Sequence, residues 1–365
     1  MFIQPGHLIG VFEMLKNWKN VLVSPSQTIR EALKIIDKEA SRIVLVVAED
    51  RKLLGTITDG DVRRGLLNNS SMEESVESIM NNNPVTLENG LSIDSMKDVM
   101  VKKGILSLPI VENGIVVGIT SINESTDKLS IENPVFIMAG GFGTRLRPLT
   151  NECPKPLLKV GDKPILEITL QNFISYGFKN FYISTHFMPE KIMSYFGNGE
   201  KWGVSITYVH EEVPLGTGGA LGLLPAEINK LPLIMINGDV LTNINYIKLL
   251  NFHNQDNAEA TMCVREYEYQ IPYGVVTGNG NKVTGMVEKP VQHFYVNAGI
   301  YVINHSVIGS VHKNMKIDMP TLLENVMAKD GNVLMFPIHE YWLDIGRMDD
   351  FEKAQRDIYN IGFNI

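Results

Sequence analysis

The spacing of apolar and polar positions along the chain changes near residue 134. After that point, short apolar runs typical of buried strands alternate with longer stretches that carry apolar residues at helical spacing. The clearest runs are residues 135–138, 181–185, 204–209 and 233–237. This alternation predicts an α/β fold with a mainly parallel sheet, in which ligands bind at the carboxyl ends of the strands.

Residues 26–61 and 89–124 repeat one another. Each copy begins with a predicted helix, continues through two strands joined by a tight turn, and ends in a glycine-led segment that enters another helix. The matching helix faces are Ile29, Ala32 and Ile36 in the first copy and Ile93, Met96 and Met100 in the second. Ahead of the repeats, Leu8 to Trp18 is amphipathic enough to predict one helix. The repeats therefore predict a separate α+β module.

The composition is that of a globular protein and limits its partners. The 365 residues exceed the usual size of one domain, and 44% of them are apolar. A net charge of −8 argues against a nucleic-acid partner, although a local basic site still suits a nucleotide. Two cysteines are too few for a disulfide scaffold or a structural zinc site. Without a long apolar run or a secretory leader, we predict a cytoplasmic protein with no membrane partner.

A glycine-rich, basic segment follows the first apolar run of the α/β half. Gly140, Gly141 and Gly143 leave the backbone free to turn and let its amides approach an anion. Arg145 and Lys155 add positive charge, so the segment suits a polyphosphate. A glycine turn that serves only the local backbone is the alternative. The GxxxxGK[ST] string of a Walker loop is absent from the sequence.

Two further segments carry candidate chemistry. The run at 233–237 leads into Asp239, where a carboxylate at a strand end can hold Mg²⁺ against phosphate oxygens, although such residues often only form turns. Residues 216–219 form a second glycine loop that could expose backbone groups to a planar base, with a helix-start turn as the alternative. No Ser, His and Asp grouping points to a covalent nucleophile.

The string GGFGTRLRPLT at 140–150, followed by PKPLL, resembles the signature of the sugar-1-phosphate nucleotidylyltransferases. PLGTGGAL at 214–221 resembles the loop of the guanylyltransferases and related enzymes. WLDIG at 342–346 resembles the element that carries the family's second metal carboxylate. The resemblance implies a Rossmann-like nucleotidyltransferase domain that uses Mg²⁺.

The same resemblance implies roles for individual residues. It implies nucleotide contacts from both glycine loops, at Ala139, Gly140, Gly141, Gly143, Thr144, Gly216, Thr217 and Gly218. It implies catalysis by Arg145, Lys155, Asp239 and Asp344, with Mg²⁺ held by Asp239 and Asp344. It implies sugar-phosphate contacts at Gly274, Glu288, Lys289 and Asn297. Without the family, a neighbouring Glu and Lys would be interpreted as solvated surface.

The duplicated module resembles a tandem pair of CBS domains over residues 20–127, with halves at about 20–68 and 72–127. Such pairs commonly bind adenine nucleotides, and the resemblance implies that Thr58 and Asp61 contact a regulatory nucleotide. In the second copy Ser121 and Glu124 stand at these positions, and Glu124 departs from the family's Asp. Two alternatives to nucleotide binding stay open. In the first, Asp61 simply caps the helix that follows it. In the second, the CBS pair serves mainly in assembly and regulation.

These patterns predict four segments: a lead-in at 1–19, the CBS pair at 20–127, a linker at 128–134 and a nucleotidyltransferase domain at 135–365. The expected reaction transfers a nucleoside monophosphate from a triphosphate, with GTP preferred, to a sugar 1-phosphate and releases pyrophosphate. The architecture resembles the GTP-using glucosamine-1-phosphate guanylyltransferases of bacterial legionaminic acid synthesis. Cytidylyl or uridylyl transfer to another phosphate acceptor, or a non-catalytic nucleotide-sensing subunit, are the alternatives. We also expect a homo-oligomer, because the helix faces of the repeats must be buried.

Overall fold

The computed structural model describes residues 10–15, 17–39, 41–68, 70–91, 95–96, 99–100, 105–124 and 130–359. The chain divides into two compact units, residues 1–127 and 128–365. Ile93 of the second predicted helix face lies outside the described residues, and so does the side chain of Glu124.

Two small sheets and two described helices build the first unit. Its strands are β1 (Gly10–Met14), β2 (Leu22–Val23), β3 (Ile43–Val47), β4 (Leu53–Thr58), β5 (Leu87–Glu88), β6 (Ser107–Glu112) and β7 (Ile115–Glu124). Its helices are α1 (Ile29–Glu39) and α2 (Asp59–Leu67), with 3-10 turns at Trp18–Val21 and Val76–Ser78. The sheets have the orders β2-β3-β4 and β1-β7-β6-β5. The predicted face of α1 is buried, because Ile29, Ala32 and Ile36 fall on one side at helical spacing.

The predicted helix over Leu8 to Trp18 is wrong within the described residues. Gly10–Met14 is a strand that pairs antiparallel with β7, with Gly10 opposite Glu124 and Met14 opposite Thr120. The edge of β7 offers main-chain donors and acceptors that a helix at this position would leave unpaired. Tertiary pairing therefore outweighs a weak local preference for helix.

The second repeat ends differently from the first. In the first repeat the chain leaves β4 at Thr58 and enters α2, whereas β7 continues as a strand through residues 121–124. Residues 121–124 are therefore extended, and residues 125–129, where the helix predicted after the second copy would follow, lie outside the described residues. Pairing with β1 explains the difference, because it stabilises the extended backbone at the residues that turn into a helix in the first copy.

Thirteen strands and seven α-helices are described in the second unit. The strands are β8 (Val135–Met138), β9 (Lys159–Val160), β10 (Lys163–Pro164), β11 (Asn180–Thr185), β12 (Ser205–His210), β13 (Leu233–Asn237), β14 (Val240–Thr242), β15 (Ala260–Gln270), β16 (Val275–Asn279), β17 (Lys282–Val287), β18 (Val291–Ile303), β19 (Val333–Ile338) and β20 (Trp342–Asp344). The helices are α3 (Ile165–Ser175), α4 (Pro189–Phe196), α5 (Gly216–Gly219), α6 (Tyr246–Gln255), α7 (His305–Ile308), α8 (Met319–Met327) and α9 (Met348–Asp357). Short 3-10 helices lie at Thr144–Leu146, Lys155–Leu157, Glu200–Trp202 and Ala220–Leu223.

A seven-stranded sheet with the order β12-β11-β8-β13-β18-β15-β19 forms the centre of this unit. The first four strands in that order run parallel, β18 is antiparallel to both of its neighbours, and β15 and β19 are parallel. The prediction of an α/β fold with a mixed, mainly parallel sheet is confirmed. None of the helices in the described part of the chain is long and apolar enough to cross a membrane.

Successive side chains of the central strands pack on opposite faces of this sheet. Val135 and Ile137 of β8 join a cluster that includes Phe173 of α3, whereas Phe136 between them joins a cluster that includes Leu322 of α8. Two-sided burial explains why these strands appear in the sequence as continuous apolar runs. Both layers hold the carboxyl ends of the parallel strands in fixed positions.

Candidate active site

Four neighbouring strands of the central sheet end at one cavity of about 290 Å³. Residues within two positions of the carboxyl ends of β12, β11, β8 and β13 line it: Glu211, His186, Gly140 and Asp239. The other lining residues are Met138, Ala139, Gly141, Phe142, Lys155, Pro156, Pro214, Gly216, Thr217, Asn237, Gly238 and Asp318. Parallel strands place their carboxyl ends on one edge, so this is the edge at which a ligand is expected.

Close approach explains the glycines of the first loop. A Cβ on Gly140 would lie 3.1 Å from Glu211 Oε1 and 3.3 Å from His186 Cβ. Gly143 has φ of 60°, and a Cβ there would lie 2.9 Å from Thr150 Cγ2. The left-handed backbone and the narrow space both favour glycine, and the loop then enters the 3-10 helix that begins at Thr144. The backbone of the loop can therefore come close to a ligand in the cavity.

Lys155 and Asp239 form an ion pair at the wall of the cavity. Lys155 Nζ lies 2.5 Å from Asp239 Oδ2, and the exposed fractions of the two side chains are 10% and 26%. Lys155 stands in a 3-10 helix after Pro154, and its cation is held away from bulk water. A buried ammonium needs a partner, so this pair is a strong local constraint.

Asp344 is brought to the same centre by a second, smaller sheet. Strands β14 and β20 pair antiparallel with Val240 opposite Asp344, and the amide of Ile345 donates to the carbonyl of Asp239 at 3.0 Å. Partial burial raises the pKa of the Asp344 carboxyl, and the negative charge of Asp239 raises it further, while the cations of Lys155 and Arg145 act in the opposite direction.

Arg145 belongs to the same charge centre without lining the cavity. A Cβ on Gly346 would lie 3.5 Å from a terminal nitrogen of Arg145 and 3.7 Å from Asp344 Oδ1. The guanidinium is therefore beside the second carboxylate while the residue itself is exposed. All four residues predicted to be catalytic are thus close together, although they are separated by up to 199 positions in the sequence (344 − 145 = 199).

In the second glycine loop, at residues 216–219, most backbone amides are already hydrogen-bonded within the protein. The amides of Gly218 and Gly219 both donate to the carbonyl of Ile317, and the amide of Thr217 donates to Asp318 Oδ1. Gly216 and Thr217 line the cavity, whereas Gly218 is buried behind them. The loop therefore supplies walls to the cavity, and its interior amides are already bonded.

The residues assigned to the sugar phosphate lie outside the lining of this cavity. A Cβ on Gly274 would lie 2.8 Å from Glu288 Oε2, so these two are neighbours. Lys289 is exposed and has φ of 46°. Asn297 donates from Nδ2 to the hydroxyl of Tyr301 at 2.6 Å. The structure thus groups Gly274 with Glu288 and does not bring the whole set to the cavity.

Sequence reasoning missed several cavity residues. Glu211, His186 and Asn237 stand at or next to strand ends, so the rule that selected Asp239 could also have found them. Glu211 is 4% exposed, and its Oε2 accepts a hydrogen bond from the amide of Leu215 at 3.1 Å. Asp318 comes from a distant segment and has no local signal.

In the first unit, the contacts of Asp61 are those of a helix cap. Asp61 Oδ2 accepts from the amide of Thr58 at 2.8 Å and from its hydroxyl at 2.6 Å, and Oδ1 accepts from Arg64 at 2.5 Å. Thr58 and Asp61 together form a capping box at the start of α2. These are the contacts that the alternative interpretation of Asp61 requires.

Comparisons with known proteins match two family models along the chain. Residues 135–360 match the family model described as nucleotidyl transferase, and residues 14–68 and 76–124 match the model for CBS domains. A mannose-1-phosphate guanyltransferase from Yarrowia lipolytica is 34% identical over 224 residues, which cover 59% of this chain and 61% of that protein. One from Neurospora crassa is 35% identical over 228 residues, with coverage of 59% and 61%.

Among solved structures, that of HddC from Yersinia pseudotuberculosis has a TM-score of 0.50 and 24% identity, covering 62% of this chain and 99% of its own. A likeness at that identity concerns the fold alone. This chain spans about three fifths of the length of the curated relatives it matches.

Proposed function

The chain belongs to the nucleotidyl transferase family, with two CBS domains ahead of the family's domain, and on this premise we propose that it transfers a guanylyl group from GTP to a sugar 1-phosphate. The observation that carries the proposal is the convergence of Lys155, Asp239 and Asp344 beside a cavity at the strand ends. Cations and paired carboxylates suit phosphoryl chemistry, which depends on positioning and charge stabilisation.

Glu211 supports guanine as the base. Its Oε2 is bonded to the amide of Leu215, and its Oε1 lies on the wall next to Gly140, where it can accept further hydrogen bonds. Guanine presents two adjacent donors, N1–H and the exocyclic amine, on its pairing edge, whereas adenine and cytosine present a ring acceptor at that position. A carboxylate therefore attracts guanine and repels those bases. The mannose-1-phosphate guanyltransferases among the relatives agree with this choice.

The reaction joins an oxygen of the sugar phosphate to the α-phosphorus of GTP and breaks the bond to pyrophosphate. Lys155 holds the triphosphate, and Arg145 holds the departing pyrophosphate. Backbone groups of Ala139, Gly140 and Gly141 lie against the nucleotide. The acceptor is held by a separate set of residues: Gly274, Glu288, Lys289 and Asn297.

Mg²⁺ is the proposed metal. The two carboxylates of Asp239 and Asp344 fit a hard divalent cation, and the ammonium of Lys155 already occupies one carboxylate oxygen in the way that a cation would. When bound, the ion neutralises charge on the α-phosphate and stabilises the charge that develops there.

For the CBS pair we propose a role in assembly or regulation rather than in chemistry. Every residue assigned to the reaction lies beyond residue 134, and Asp61 already has the contacts of a helix cap. A homo-oligomer of the full chain is part of this proposal, and sedimentation of the full-length protein tests it.

A panel of four nucleoside triphosphates against hexose and hexosamine 1-phosphates, read out by pyrophosphate release with Mg²⁺, tests the proposal. We expect release with GTP, and release lowered by about 10²-fold or more in Asp239→Asn under the same conditions. Glucosamine 1-phosphate and mannose 1-phosphate are the acceptors to compare first. No release with any pair contradicts the activity, and a preference above about tenfold for UTP, CTP or dTTP contradicts the choice of GTP.

Glu211→Gln tests the base assignment separately. The amide keeps an oxygen for the Leu215 amide but replaces the second acceptor with a donor. We expect the preference for GTP over ATP to fall by about tenfold or more. An unchanged ratio contradicts the role of Glu211.

A further inference from the structure

Phe142 lies where folding gives little reason for a large apolar side chain. It stands between Gly141 and Gly143 in the first glycine loop and is 45% exposed. Of the large apolar side chains that are more than a third exposed in the described ranges, Phe142 alone lines the cavity. A half-exposed ring contributes less burial than a core ring, so its position calls for another explanation.

Two neighbouring rings fix the orientation of Phe142. Its centroid lies 5.1 Å from that of His186 in an edge arrangement at 87°, and 5.7 Å from that of Phe187 at 53°. The His186 ring is itself held, because its Nδ1 lies 2.6 Å from the carbonyl oxygen of Glu211. Such aromatic contacts are favourable beyond the area they bury. The exposed ring is therefore held in place before any ligand arrives.

The order of the strands gives the cavity a direction. Asp239 follows β13, Phe142 follows β8, and His186 and Glu211 follow β11 and β12. A nucleotide whose phosphates lie at Lys155 and Asp239 therefore extends its base past β8 toward the other two strands. Phe142 stands on that route.

We propose that Phe142 is a stacking platform for the nucleobase. The inference rests on the proposed function and extends it by separating two tasks. Phe142 contacts the face of the base and adds affinity for any planar base, with purines favoured over pyrimidines by their larger ring. Glu211 contacts the edge of the base and selects guanine. Stacking on an aromatic side chain is tolerant of base identity, whereas hydrogen bonds to the edge are not.

The test measures equilibrium binding to the full-length protein by titration calorimetry, with GTP, ITP and UTP and no acceptor. Phe142→Leu removes the ring but keeps an apolar side chain. We expect Kd for GTP and ITP to rise by about the same factor, roughly tenfold. UTP should be affected less. Phe142→Trp should restore binding of GTP to within about threefold of the wild type.

Leu149→Ala is the matched control, because Leu149 is an exposed apolar residue (38%) shortly after the same loop and does not line the cavity. It should leave all three Kd values unchanged. Steady-state kinetics add a second readout: Phe142→Leu should raise KM for GTP and leave kcat within about twofold. A merely structural role would lower kcat or the melting temperature instead.

The outcomes separate this inference from the proposed function. Unchanged Kd values in Phe142→Leu overturn the platform even if GTP is turned over. An equal rise in Kd without any turnover by the wild type supports the platform and contradicts the reaction. A loss confined to GTP, with ITP unaffected, would assign edge recognition to this position and overturn the proposal.

Discussion

Asp239 and Asp61 are both carboxylates that come shortly after a strand, and their surroundings differ sharply. Asp61 accepts from the amide and hydroxyl of Thr58 and from Arg64, so both of its oxygens are bonded within one turn of chain. Asp239 receives a single ammonium, from Lys155, and stands beside a second carboxylate, Asp344. Contacts within the protein use both oxygens of Asp61, whereas Asp239 has one direct partner and a second negative charge beside it.

This is the difference we expect between a carboxylate that only stabilises the fold and one that binds a ligand. A group that is satisfied locally stabilises the fold and has little left to offer a ligand. Holding Asp344 beside Asp239 and partly out of water disfavours its ionised form: burial is the larger cause of the raised pKa of the Asp344 carboxyl, and the negative charge of Asp239 raises it further. Folding alone does not favour that arrangement, whereas a bound cation does.

The largest effect is expected for Asp239→Asn. Loss of this charge weakens the metal site and should lower turnover by about 10²-fold or more. It also leaves the buried ammonium of Lys155 without its direct partner, so the melting temperature of the metal-free protein should fall. Turnover assays at saturating Mg²⁺ and a thermal melt without metal measure both effects. Near-normal turnover would refute the metal assignment.

Asp344→Asn should lose as much activity but change stability in the opposite direction. Its folded-state pKa is raised, so the fold loses stability as the pH rises from the ordinary pKa of an aspartate through the raised one, and the full loss is present at neutral pH. A neutral amide of the same shape removes the repulsion with Asp239 and leaves the pair with Lys155 intact. The metal-free variant should melt at a higher temperature than the wild type at neutral pH.

Asp349→Asn is the control for both variants, because Asp349 is an exposed acidic residue in the first turn of α9. It should change neither turnover nor the melting temperature appreciably. If Asp344→Asn melted below the wild type, the claim that the two carboxylates oppose folding would be wrong.

Substitutions of Arg145 and Lys289 should have smaller effects, on different kinetic constants. Arg145 lies beside Asp344, whereas Lys289 is an exposed residue that directly follows Glu288 in the sequence. Arg145→Ala should lower mainly kcat, and Lys289→Ala should raise mainly KM for the sugar phosphate, each on the order of tenfold. Lys282→Ala, an exposed lysine on β17, is the control. An unchanged KM in Lys289→Ala would remove that residue from the acceptor site.

Site residues that lie within one short sequence pattern could be predicted from the sequence. Gly140 and Lys155 belong to one motif, and Asp239 follows a short apolar run of the length typical of a buried strand. Asp344 required the family resemblance, because the pairing of β14 with β20 that brings it to Asp239 is tertiary. Asp318 bonds to Thr217 across 101 residues, and no local pattern predicts such a contact.

The repeats show where local signals fail. Ser121 and Glu124 have the spacing of a capping box, as Thr58 and Asp61 do, yet only the first copy enters a helix at these positions, and the second stays a strand through residue 124. The second copy pairs with β1, whose own helical periodicity was misleading. In both segments a strand partner from elsewhere in the chain decided the conformation, and the partner is invisible to a pattern confined to a short window.

The smallest effect is expected for Asp61→Ala. This variant decides whether Asp61 is a helix cap or a residue that binds a nucleotide. The substitution removes the acceptor of the Thr58 amide and hydroxyl at the start of α2, which should lower the free energy of unfolding by about 1 kcal/mol. The lost contact with Arg64 adds little, because that side chain is 68% exposed. Lys34→Ala, at an exposed position of α1, is the control for stability. Turnover should be unchanged, because the assigned catalytic residues all lie beyond residue 134.

Titration of ATP, AMP and GTP onto the wild type and onto Asp61→Ala gives the second readout. If Asp61 is only a cap, any affinity attributable to the CBS pair should survive the substitution as long as the fold does. A nucleotide affinity that disappears while the melting temperature stays constant would instead make Asp61 a ligand residue, and the contrast with Asp239 would no longer hold.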